Sequence, residues 1–164
     1  MSDFDDLLHA NEQYAETFSM HGFDGIAKAG VAMVTCMDSR IDPLAMIGLT
    51  PGDAKILRNP GGRVTPSTLI ALVLGSSLLG VNRVLIVQHT RCAMAKGTEA
   101  EIKQKVGEIT GTDASWLPIG AISDQAKTLH EDVQKVRSHP LIPDSVDVGG
   151  FLYDVDNGRL TQVV

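Results

Sequence analysis

Two cysteines and a histidine give this chain its clearest chemical vocabulary: Cys36 in the run AMVTCMDSR, and His89 and Cys92 in LIVQHTRCAM. Each run is apolar and β-branched until it stops at these side chains. Two thiolates and an imidazole are ligands that borderline-soft Zn²⁺ favours, and three protein ligands leave a fourth tetrahedral position for water. The His-x-x-Cys spacing lets His89 and Cys92 reach one ion from a single turn, with Cys36 arriving from an adjacent strand. An open site of this kind points to catalysis, because structural zinc usually takes four protein ligands. Two plainer readings stand beside it. The thiols could be ordinary buried cysteines, or Cys36 and Cys92 could form a redox pair, although the chain has no Cys-x-x-Cys spacing.

The neighbours of Cys36 sharpen the metal reading. Asp38 and Arg40 are two residues apart, close enough for a charge-assisted pair that keeps the carboxylate ionised and oriented as an acceptor. Two thiolates cancel the charge of Zn²⁺, so such a metal acidifies water less than one held by neutral histidines. A carboxylate acceptor beside it therefore has a chemical purpose. Elsewhere in a chain the same Asp–Arg spacing would be a surface pair of little consequence. In RNPGG, Arg58 to Gly62, the paired glycines Gly61 and Gly62 allow close backbone approach and can point amides at an anion; the stretch also reads as a plain turn.

These groups need a scaffold that brings strand ends together. Val31 to Thr35, Ala54 to Leu57 and Val84 to Val87 are short apolar runs that read as buried strands. Thr65-Pro66 looks like an N-cap with proline at the first helical position, and Gly80 closes the helix it opens. Thr98 with Glu101 fits a capping box ahead of Ile102, Val106 and Ile109. Ile122, Ala126, Leu129, Val133 and Val136 mark another helix. Phe4, Leu7, Leu8, Tyr14 and Phe18 give an N-terminal amphipathic helix with an aromatic face. Asp42-Pro43 opens a short helical turn. Asn157-Gly158 between two apolar runs predicts a closing antiparallel hairpin. Strand–helix alternation with continuous apolar strands implies an α/β fold with a mostly parallel central sheet and helices on both faces. Ligands in such sheets bind beyond the carboxyl ends of the strands, where Cys36, Arg58 and His89 all fall.

At 164 residues and 17.5 kDa the chain is expected to form a single domain, residues 1–164. Its formal charge of −6 and pI near 5.2 come without a basic stripe, which argues against nucleic acid or an anionic membrane as partner. The acidic start MSDFDD lacks the basic and apolar segments of a signal peptide. The most apolar window, Leu69 to Val81, is too short to span a bilayer. Two cysteines are too few for a disulfide scaffold, so a reducing, cytoplasmic location is expected.

Taken together, CMDSR, the Gly-Asp-Ala…Arg-Asn-x-Gly-Gly segment and the strand ending His-Thr-x-Cys resemble the β-class carbonic anhydrases, specifically the short bacterial and archaeal type, over most of the chain. The resemblance implies Cys36, His89 and Cys92 as zinc ligands, Asp38 and Arg40 as a catalytic dyad, and Gly61 and Gly62 in the lining of the substrate pocket. It implies zinc-bound hydroxide attacking carbon dioxide to give bicarbonate, with the dyad orienting the nucleophile. It further implies an N-terminal helix packing on a partner subunit in a homodimer or homotetramer. Asp38 is implied to be able to swing onto the metal when its arginine pairing breaks. Relatives on the same fold hydrolyse carbonyl sulfide or carbon disulfide, which is the alternative activity; a non-catalytic zinc- or bicarbonate-binding homologue is the alternative outside enzymes. Three residues depart from the family's usual wording: Arg91 and Ala93 in His-Thr-Arg-Cys-Ala, where Asp and Gly are usual, and Pro60 in Arg-Asn-Pro-Gly-Gly, where Ala is usual. Arg91 sets a cation between two ligands, and Ala93 adds a methyl group to a tight turn. His9, His21, His130 and His139 lie outside every motif and read as surface or capping histidines.

Overall fold

A computed structural model describes residues 3–164, so Met1 and Ser2 of the acidic start lie outside the described residues. Strands β1 (Val31–Cys36), β2 (Ala54–Asn59), β3 (Arg83–His89), β4 (Asp147–Tyr153) and β5 (Leu160–Gln162) form one sheet in the order β2-β1-β3-β4-β5. The first four strands run parallel, and β5 returns antiparallel along β4. Every residue of β1 is buried, as expected for the central strands of a parallel sheet.

Among the described residues four α-helices accompany the sheet: α1 (Asp5–Glu16), α2 (Pro66–Leu78), α3 (Glu99–Thr110) and α4 (Gln125–Arg137). Their ends follow local chemistry. Thr65 caps α2 by accepting from the Thr68 amide, with Pro66 in the first turn. Thr98 and Glu101 form the reciprocal capping box of α3. Asp124 caps α4 by accepting from the Lys127 amide. That cap excludes Ile122 from the helix its spacing suggests; Ile122 lies in the preceding loop, its amide bonded to the Met94 carbonyl. The principal core joins Ala32 and Val34 of β1 and Val84 and Ile86 of β3 to Leu72 of α2 and to Leu129, Val133 and Val136 of α4. Helix α1 contributes nothing to it, since none of its described side chains is buried.

Strand β4 begins four residues before the apolar run that announces it, because Gly149 and Gly150 disguise it. At Gly150 a Cβ would sit 3.0 Å from Val133 and 3.1 Å from Leu129, so the bare backbone is what lets α4 lie close over β4. The closing hairpin forms around Asn157-Gly158, but with a wider loop than two residues. Asp154 organises it, accepting from the Asp156 amide and the Asn157 side chain and donating its own amide to the Arg159 carbonyl. Among the described residues, no helix is long and apolar enough to cross a membrane.

Candidate metal centre

Because β1 and β3 are parallel neighbours, paired from Val31 with Arg83 to Thr35 with Val87, their carboxyl ends emerge side by side. Cys36 ends β1 and His89 ends β3. The chain then turns sharply through Arg91, which takes a left-handed conformation with φ 53°, and returns Cys92 to the same place. All three side chains are buried, and their ligand atoms lie within 4.8 Å of one another. The two sulfurs are 3.9 Å apart. Tetrahedral coordination with Zn–S bonds near 2.3 Å separates two sulfurs by about 3.8 Å, so the arrangement has the size of a zinc site.

Protonation states agree with that size. His89 Nδ1–H donates to the Thr90 carbonyl at 2.9 Å, which leaves Nε2 as the free lone pair. Nε2 is buried with no hydrogen-bond partner, an uncompensated acceptor of the kind a metal satisfies. Burial lowers the His89 pKa, so at neutral pH the ring is the uncharged ligand form, and the 3.8 Å separation of Nε2 from Asp38 Oδ2 is no ion pair. Burial and the neighbouring Cys36 sulfur push the Cys92 thiol up to about 11. A divalent cation held by these groups would supply the charge that stabilises a thiolate there.

Asp38 and Arg40 stand at the mouth. Arg40 Nε donates to Asp38 Oδ1 at 2.9 Å and Nη2 to Oδ2 at 2.7 Å, a two-pronged pair. The guanidinium hydrogen bonds hold the Asp38 carboxyl far below the usual carboxylate range, outweighing partial burial that opposes them. Arg40 Nη2 also reaches the Arg91 carbonyl at 3.4 Å, while the Arg91 side chain turns outward to pair with Asp156 in the β4–β5 loop. Arg58 of β2 fastens the CMDSR backbone, donating to the Cys36 carbonyl at 3.0 Å and the Asp38 carbonyl at 2.6 Å. A cavity of about 420 Å³ opens here, lined by Cys36, Asp38, Arg40, Pro60, Cys92 and Met94 among others. A larger groove of about 700 Å³ lies at the opposite end of the sheet, where Arg83 and Asp147 begin β3 and β4; its lining offers neither thiol nor imidazole.

Gly61 and Gly62 lie behind the cysteine rather than in the cavity lining. The Gly61 amide donates to Cys36 Sγ at 3.3 Å, so the anion it addresses is the sulfur itself. At Gly62, with φ 64°, a Cβ would lie 2.6 Å from the Val87 carbonyl oxygen and 3.0 Å from the Cys36 nitrogen. Only glycine fits so close to both strand ends.

A carbonic anhydrase family model matches residues 31–160, which contain every one of these groups. The chain belongs to the β-carbonic anhydrase family. It is 29% identical over 163 residues to β-carbonic anhydrase 1 of Mycobacterium tuberculosis, covering 97% of this chain and 96% of that protein. It superposes on the crystal structure of a carbonic anhydrase from Streptococcus mutans with a TM-score of 0.90 at 35% identity, covering 100% of this chain and 99% of the other. It is also 31% identical to a carbon disulfide hydrolase of Acidithiobacillus thiooxidans, over 85% of this chain and 75% of that protein. As a β-carbonic anhydrase family member the chain carries the Cys-His-Cys group in its sheet rim with Asp38 and Arg40 beside it. Supporting residues with no motif to announce them are Arg63, Asp132 and Gln125, whose side-chain amide donates to the His89 carbonyl at 2.9 Å.

Proposed function

We propose that the protein is a zinc enzyme that hydrates carbon dioxide reversibly to bicarbonate, with Cys36, His89 and Cys92 as ligands. The observation that carries this reading is the convergence of three ligand atoms next to a forked Asp38–Arg40 pair at the mouth of one cavity. Zinc held there supplies a Lewis acid and the point at which water becomes a nucleophile near neutral pH. The chain's own residues supply orientation. Asp38 Oδ2 lies 3.8 Å from His89 Nε2, within reach of a water that a metal at Nε2 would hold, which supports its reading as the acceptor that orients the nucleophile. Because its guanidinium partner holds Asp38 so acidic, the carboxylate accepts a hydrogen bond there but is a poor store for the proton. Pro60, Met94 and the Cys36–Arg40 segment wall the cavity around a small, uncharged substrate. Gly61 and Gly62 keep the backbone close behind Cys36.

The exposed apolar side chains of Phe4, just before α1, and of Leu7, Leu8 and Tyr14 on it, each more than half accessible, supply the surface for a homodimer or homotetramer. A single functional domain over residues 1–164 in the cytoplasm suits the free thiols the site requires. Stopped-flow hydration of carbon dioxide by zinc-loaded protein tests the proposal; no rate above buffer between about pH 7 and 9 would overturn it. Similarity to carbon disulfide hydrolases favours one second reading, hydrolysis of carbon disulfide or carbonyl sulfide at the same centre. Faster consumption of these than hydration of carbon dioxide would establish it.

A further inference from the structure

Behind the metal centre, and outside its cavity, lies a buried carboxylate with four donors. Asp132 is fully buried midway along α4. Its Oδ2 accepts from Arg63 Nε at 2.7 Å and from the Val64 amide at 3.1 Å. Its Oδ1 accepts from Arg63 Nη2 at 3.4 Å and from Lys135 Nζ at 2.6 Å. Arg63 and Val64 end the arch that starts at Asn59, and the arch is tied across its base. The Asn59 side chain exchanges two 2.7 Å hydrogen bonds with the Arg63 backbone, donating to its carbonyl and accepting from its amide. The apex of the arch holds Gly61, whose amide donates to Cys36 Sγ, and Gly62, which leaves no room against the ends of β1 and β3.

We infer that Asp132 is a positioning residue for the metal centre: by gripping Arg63 and Val64 it fixes the arch that delivers the Gly61 amide to the Cys36 sulfur. The inference rests on the zinc reading above and goes beyond it, to a residue that touches neither metal nor substrate. Such a grip is effective because the carboxylate is buried and its partners come from the arch itself. Movement of the arch away from β1 breaks the charge-assisted fork and the N–H···S bond together. A sulfur that loses an amide donor becomes a stronger electron donor to a metal and a less well-placed ligand.

Cobalt is the probe, since its thiolate charge-transfer absorption reports on the sulfur directly. Metal affinity, by chelator competition, and the absorption spectrum are to be measured for the native chain, for Asp132→Asn, and for Leu72→Ala, a core variant on α2 that lowers thermal stability without removing any hydrogen-bonding group of the arch. We expect Asp132→Asn to lose about 10- to 100-fold in affinity and to move the thiolate band to longer wavelength, with neither change in Leu72→Ala. An affinity loss no larger than that of Leu72→Ala, or an unmoved band, overturns the inference. Should Asp132→Asn fail to fold, Arg63→Lys, which keeps the charge and loses the fork, is judged by the same two readouts. Native protein lacking any thiolate–cobalt band would instead sink the metal assignment itself, and this inference with it.

Discussion

The molecule contains two Asp–Arg forks near the same cysteine, and they differ in almost every respect that matters. Asp38 and Arg40 are two residues apart, at the cavity mouth, with side chains 18% and 40% exposed. Arg63 and Asp132 are 69 residues apart, with Asp132 at 0% and Arg63 at 19% exposure. The first pair gains little fold stability from its Coulomb attraction, because water competes and the chain already holds the partners near each other. On the proposed function its value is chemical: an oriented, ionised acceptor beside Cys36 and His89. The second pair has no access to the cavity. Its value is mechanical, joining α4 to the arch behind Cys36. On the proposed function one fork acts on the reaction and leaves the fold nearly indifferent, whereas the other acts on the fold and reaches the metal ligand only through the arch it holds.

Substitution separates them. Asp132→Ala leaves a largely buried Arg63 unpaired and the Val64 amide without an acceptor, and breaking a buried pair from one side costs about 3–5 kcal/mol. Denaturant unfolding of the metal-free protein should show that loss; a change under about 1 kcal/mol would mean that water replaces the carboxylate and the fork is not structural. Asp38→Asn keeps the shape and removes the charge. Stability should move by less than about 0.5 kcal/mol, while carbon dioxide hydration falls by about 100-fold or more. Equal rates for Asp38→Asn and native protein would remove the chemical half of the contrast.

Acid discriminates the same way among carboxylates that serve the fold. Glu99 opens α3 and gathers the amides of Ile119, Gly120 and Ala121 at 2.8–3.0 Å. Those amide bonds, with Lys103 nearby, hold its pKa down to about 2 from an ordinary 4.5. The folded value is the lower one, so the contribution to stability is complete above about pH 4.5 and disappears as pH falls toward 2. Unfolding midpoints measured across that window should fall less steeply in Glu99→Gln than in the native chain. Parallel slopes would show that the loop amides find other acceptors.

The contrast between the forks also explains how much of the molecule was legible in its sequence. Local signals were legible: the Thr65-Pro66 cap, the Thr98–Glu101 box, the three apolar strands and the sheet rim that joins Cys36 to His89. Asp38 and Arg40 could be paired because they are neighbours along the chain. Nothing local pairs Arg63 with Asp132. The one available sign was that Asp132 interrupts the apolar stripe of Leu129, Val133 and Val136, all buried on α4. A carboxylate on a buried helical face must have a partner, but only the fold says which. Strand β4 hid for a related reason, since Gly150 is justified by the approach of α4 and not by any propensity of its own.

A third pair decides which property makes the buried fork strong, distance along the chain or distance from water. Arg91 and Asp156 are 65 residues apart, nearly as remote as Arg63 and Asp132, yet their side chains are 57% and 59% exposed. If closing a long loop were the source of stability, this pair should matter as much as the buried one. Solvent screening and side-chain entropy argue otherwise and limit an exposed pair to about 0–1 kcal/mol. Asp156→Asn should therefore shift the unfolding free energy by no more than about 0.5 kcal/mol, and less still in high salt. The Arg40 contact with Arg91 should persist, because it is made to the backbone carbonyl, which the left-handed turn presents whatever the side chain does. A loss for Asp156→Asn comparable to that of Asp132→Ala would show that anchoring the His89–Cys92 turn, and not burial, sets the strength of these links.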